Sequence, residues 1–131
     1  MTSETGLVER WRTLLTSYNA VAGHLERALQ ETHGLTMSEF ETLDRLASTV
    51  ECEKRRMQDL EADMYLSQSA LSRTVARLEK SGLVERALCE ADRRGVFVAV
   101  TDAGRRVHTE ARQTQLNVLA EHLAAEPVNA A

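Results

Sequence analysis

The 131-residue sequence predicts an α+β fold, mainly α, built as one domain. Three observations carry that expectation. Apolar residues recur at spacings of four and three from Leu7 to Ala28; two shorter helical patterns meet near Tyr65; and after Gly82 the hydrophobic period changes from helical to alternating. With 43% hydrophobic residues the chain can bury a core. No apolar run approaches the ~20 residues of a membrane span. The opening MTSETGLVERW has neither a basic nor an apolar leader segment, so a cytoplasmic protein without membrane contact is expected.

The first seam, Leu7, Trp11, Leu14, Tyr18, Val21, Leu25 and Ala28, lies along one face of a long helix that His33-Gly34 ends. A helix this long cannot bury such a seam on a small domain alone, and residues 1–34 are therefore expected to pack against a partner subunit. In TMSEFETLDRLAST, Thr36 or Ser38 is the N-cap, Glu39 and Glu41 occupy the first turn, and Phe40, Leu43, Leu46 and Ala47 share one side. The charged stretch VECEKRR breaks the period before a short helix, MQDLEADM, with Met57, Leu60 and Met64 inward. A helix then restarts at Ser67. Two helices joined by a tight turn form a helix-turn-helix, whose second helix can enter a major groove.

That second helix, SQSALSRTVARLEKSG, buries Leu71, Val75 and Leu78 and stops at Gly82. Outward it leaves Gln68, Ser69, Ser72, Arg73, Thr74 and Arg77, with no acid before Glu79. An ordinary solvated face more often carries Glu and Lys in i,i+4 pairs, whereas hydroxyls, amides and guanidiniums suit base edges and phosphates. Next, LVERALCE and GVFVAVT read as two strands of a hairpin with ADRRG at its tip. Arg93 and Arg94 would be carried to a narrow minor groove, oriented by Asp92, with Gly95 turning the backbone. The chain as a whole has net charge −4, yet residues 67–95 hold six Lys or Arg against four acids. Because phosphates sense charge within about 8–10 Å, this local excess decides. The final helix starts at Thr101 as cap, runs to about residue 126 through Val107, Ala111, Leu119 and Leu123, and gives way to a tail at residues 127–131.

LSQSALSRTVARLEKSGLVER followed by DRRGVFVAVTDAGR resembles the winged helix-turn-helix of the MarR family of bacterial transcriptional regulators, and order and spacing agree through essentially the whole chain. The resemblance implies a homodimer on double-stranded DNA, most simply a repressor that a ligand releases, with N- and C-terminal dimerisation helices around a winged helix-turn-helix at residues 35–100. It assigns Ser67, Gln68, Ser69, Ser72, Arg73 and Thr74 to a major groove of a pseudo-palindromic site. Arg77 goes to phosphate, Arg93 and Arg94 to the minor groove, and Asp92 to orienting an arginine. It also implies a cleft for a small aromatic or anionic ligand, near Trp11, Tyr18 and Met57, with His24 and His33 as further candidates. Two features depart from the pattern. Tyr65 stands where a small or turn-favouring residue is usual, and where resembling proteins carry a further C-terminal helix, the residues around Leu116 to Leu123 would have to complete the dimer contact.

Two other readings stay open. Cys52 beside Lys54, Arg55 and Arg56, or Cys89 on the wing, would allow redox sensing. A winged helix can also serve as a protein-interaction module, although the clustered arginines favour DNA. No Ser/His/Asp set, phosphate loop or metal-ligand spacing appears, so no catalytic residue, cofactor or metal is expected.

Overall fold

The computed structural model describes residues 3–48, 55–89 and 92–123, with residues 55, 88, 89 and 92–95 described by their backbone alone. Five helices and a small sheet follow in the order α1 (Glu4–His33), α2 (Met37–Ala47), β1 (Arg55–Arg56), α3 (Met57–Asp63), α4 (Gln68–Lys80), β2 (Val84–Cys89), β3 (Asp92–Val100) and α5 (Asp102–Leu123).

Helix boundaries follow from local chemistry. Ser3 caps α1 by accepting from the Gly6 amide, and the helix stops at Gly34, whose φ of 68° a residue with a Cβ adopts only at a cost. Thr36 and Glu39 form a reciprocal capping box at the start of α2. Glu26, one helix away, accepts from the Met37 amide at 2.9 Å. Three first-turn donors of α2 are thus satisfied by side chains, one of them from α1. Ser67 caps α4, and Gly82 (φ 79°) turns the chain from α4 into the hairpin.

One core lies under all of these elements. Leu25 and Leu29 of α1, Phe40, Leu43 and Leu46 of α2, Leu60 of α3, Leu71, Val75 and Leu78 of α4, Val98 of β3 and Ala111 of α5 are buried together. At ~1.5–3 kcal/mol for each large side chain removed from water, this cluster dominates the stability of the lobe. The seam of α1 is split by comparison. Its C-terminal part enters the core, whereas Leu7, Trp11, Leu14 and Tyr18 stay exposed at 54–64%.

The sheet runs β1-β3-β2, antiparallel throughout. β1 falls within the stretch read from sequence as a charged break. Strand pairing uses backbone groups, so two arginines can form it: Arg55 and Arg56 oppose Val98 and Phe97, and the Arg56 guanidinium stands 5.7 Å from the centre of the Phe97 ring. The first turn of α5 locks against the base of the hairpin. There the Thr101 amide donates to Leu83 O, its hydroxyl donates to Gly82 O at 2.7 Å, and that same oxygen caps Gly104 N.

Candidate nucleic-acid interface

Helices α3 and α4 and the turn from Met64 to Leu66 make the helix-turn-helix that the sequence predicts. Met64 closes α3 in extended backbone (φ −116°, ψ 154°) and buries its side chain, and Tyr65 is left fully exposed at 103%. The Tyr65 ring therefore does not pack against the fold.

On α4 the outward face carries Gln68, Ser69, Arg73 and Arg77, all exposed, and Ser72, half-buried. Ser67 is also exposed, but its Oγ accepts from the Ala70 amide at 3.2 Å and lies 3.4 Å from Ser69 Oγ, so its first role is the cap. Thr74 does not belong on this face. It is 2% exposed, on the stripe of Leu71 and Leu78, and its hydroxyl donates to Ala70 O at 2.9 Å. A threonine can sit in an apolar stripe because the preceding turn satisfies its only polar group. That same hydroxyl accepts from Arg77 Nη2 at 3.3 Å, which ties the guanidinium to the helix surface.

Two features were not read from the sequence, Ala76 and the Glu79–Arg86 pair, Arg86 having been grouped there with the clustered arginines. Ala76 is exposed between Arg73 and Arg77 and offers a methyl of the kind that meets a thymine methyl. Glu79 on α4 binds Arg86 on β2, Oε1 to Nε at 3.3 Å, with both side chains half-exposed. Arg86 therefore braces the hairpin against the reading helix. Neither could be found from period alone, since one is a plain alanine and the other depends on the hairpin's register.

The wing differs from a simple tip. Cys89 pairs with Asp92 while its neighbour Leu88 pairs with Val96, so residues 93–95 form an insertion in β3 facing no counterpart on β2. Thus Asp92, Arg93, Arg94 and Gly95 lie in the strand rather than in the connection, and the side chains of the wing arginines and Asp92 lie outside the described residues. Cys52 lies outside them too, as does the side chain of Cys89.

A cavity of about 700 Å³ separates α1 and α5 from the helix-turn-helix, and Tyr18, Glu41, Arg45, Asp63 and Tyr65 are among its lining residues. Of the sequence candidates it takes in Tyr18. Trp11, one turn before the lining residue Leu14, is not among the lining residues and is 59% exposed; Met57 packs on the core from the start of α3. His24 stacks on His122 with ring centres 3.9 Å apart, and His33 Nε2 meets Thr114 Oγ1 at 2.7 Å, so both join α1 to α5 instead. Glu41 has its carboxyl pushed above the ordinary value of 4.5, first by burial and then by the nearby Asp44, with Arg45 opposing.

A second helix whose exposed face carries no acid before Glu79, braced through Glu79 to an arginine-bearing hairpin, defines a winged helix-turn-helix protein. The comparisons narrow this further. A sequence model of the MarR family matches residues 33–95. AbsC, a MarR family transcriptional regulator from Streptomyces coelicolor, is 32% identical, with a TM-score of 0.83 over 95% of this chain and 82% of that one. Sco3205, a MarR family regulator from the same organism in complex with DNA, is 30% identical, with a TM-score of 0.86 over 98% and 79%. CouR from Rhodococcus jostii RHA1, bound to p-coumaroyl-CoA, is 28% identical, with a TM-score of 0.78 over 88% and 78%. No curated protein matches the chain in sequence. The chain belongs to the MarR family and is a DNA-binding transcriptional regulator. Among the described residues, no helix is long and apolar enough to cross a membrane.

Proposed function

We propose that the protein acts as a homodimeric repressor in the cytoplasm, reading a pseudo-palindromic site and leaving it when a small molecule enters the cavity. The exposed face of α4 carries this reading: Gln68, Ser69, Arg73 and Arg77 project from the second helix of the helix-turn-helix without an intervening acid. Gln68, Ser69, Ser72 and Arg73 meet base edges. Arg77, steadied by Thr74, meets phosphate, while Ser67 presents the helix start. Arg93 and Arg94 reach the flanking minor groove, with Asp92 orienting one of them. Residues 1–34 and 101–126 hold the two subunits together around the reading unit at 35–100. The exposed apolar strip of α1 supports the dimer, and the DNA-bound and ligand-bound relatives support DNA as partner and the cavity as a ligand site.

Selection of bound duplexes from a random pool, followed by salt titration of the enriched sequences, tests the reading. An inverted repeat with half-sites about 10 bp apart is the expected product. Enrichment of a single, unrepeated half-site would remove the dimeric mode. A pool with no sequence above background would remove the specific reading and leave the arginines to another partner.

A further inference from the structure

The wall of the cavity narrows what it can hold. Most of it is aliphatic, with Leu25, Met64 and Leu119 among the lining side chains. Among the described residues its charged groups are two acids, Glu41 and Asp63, against one base, Arg45. Arg45 and Asp63 already have partners within the fold, whereas Glu41, half-buried, makes no hydrogen bond or salt bridge among the described residues. Tyr18 on α1 and Tyr65 in the turn before α4, 62% and 103% exposed, are also among the lining residues.

We propose that this cavity takes an apolar organic cation, an aryl onium ion or protonated aryl amine, with its charge against Glu41 and the two tyrosine rings and its hydrocarbon body against the aliphatic wall. The inference rests on the cavity being the ligand site and adds the sign of the ligand's charge, replacing the anionic class implied by resemblance. An incoming anion meets a lining of formal charge −1, and its attraction to Arg45 competes with that residue's existing partner. A cation does the reverse. Burial and Asp44 disfavour the Glu41 carboxylate, Arg45 opposes them only in part, and a further positive charge beside it offsets both effects. Ring faces add a cation–π attraction that an anion cannot use. Since Tyr65 precedes the α4 cap by two residues, an occupant drawn to its ring acts directly on the base of the reading helix.

Tetraphenylphosphonium and tetraphenylborate have nearly the same shape and opposite charge, and triphenylphosphine oxide is a neutral relative. Each is titrated calorimetrically into the protein in sodium buffer. The phosphonium is expected to bind about tenfold or more tighter than the borate, and Glu41→Gln to shrink that preference to about threefold or less. Equal or tighter binding of the borate would overturn the cationic assignment and leave the ligand-site reading standing. Phosphonium binding unchanged by Glu41→Gln would place the ion elsewhere and overturn the assignment as well. Failure of all three compounds to bind would overturn the assignment of an aryl cation and leave the ligand-site reading standing.

Discussion

Thr74 and Arg73 are neighbours in opposite surroundings, one buried and one exposed, and substitution separates them. Removing the buried Thr74 hydroxyl and methyl by Thr74→Ala is expected to lower unfolding stability by about 1–2 kcal/mol in urea titration. Arg73→Ala should change stability by less than ~0.5 kcal/mol. If Arg73 reads a guanine, the same change costs about 1–3 kcal/mol on the selected site and relaxes its sequence preference; an equal loss on every duplex would make it a phosphate contact. Glu41 provides a pH test. Its folded-state pKa lies above the unfolded value, so the native state binds the extra proton and stability falls as pH rises from about 4.5 through the raised pKa. Glu41→Gln is therefore expected to raise the melting temperature at pH 7 and to lose that advantage below about pH 4. At this scale the sequence placed Gln68, Ser69, Arg73 and Arg77 outward, because helical period sets them opposite Leu71, Val75 and Leu78. It misplaced Thr74, since a hydroxyl that bonds its own preceding turn leaves no mark in a polarity pattern.

Helix ends were readable for the same local reason: a cap is chosen within a few residues, as Ser67 and Thr101 show, while the structure chose Thr36 over Ser38 and added Ser3. Contacts between elements were not. Glu26 capping α2, Arg56 over Phe97, Glu79 on Arg86 and the insertion at residues 93–95 all join segments remote in sequence or depend on strand register. Gly104 is the sharpest of these joints. A Cβ there would collide with the backbone carbonyl oxygen of Leu83 and lie 2.7 Å from Val100 Cγ2, because α5 crosses the hairpin base at closest approach. Gly104→Ala is expected to destabilise the protein by about 1–3 kcal/mol despite the better helix propensity of alanine, a loss that thermal unfolding would register. An unchanged or raised melting temperature would mean that α5 can shift off the hairpin freely.

For the whole molecule the decisive feature is the apolar strip of α1, Leu7, Trp11, Leu14 and Tyr18, exposed while the helix's other end is core. If a second copy covers it, Trp11→Glu should convert a dimer into a monomer in sedimentation equilibrium and weaken binding to a two-half-site duplex by tenfold or more, since a monomer engages one half-site. A wild-type protein that sediments as a monomer at micromolar concentration would remove the dimer from the proposal. By itself the sequence determined the five helices, the hairpin and the apolar faces, all of them set by period and by neighbours a turn away, whereas β1, paired to β3 through backbone groups, left no mark in it. Only the tertiary structure decided that Thr74 is core, that Arg86 is a brace and that the wing arginines fall within a strand. It also placed Tyr18, Glu41 and Tyr65 around one cavity and left Trp11 and Met57 outside it. Those outcomes depend on which distant segments meet, and the packing of α1 and α5 against the helix-turn-helix chooses the meeting points.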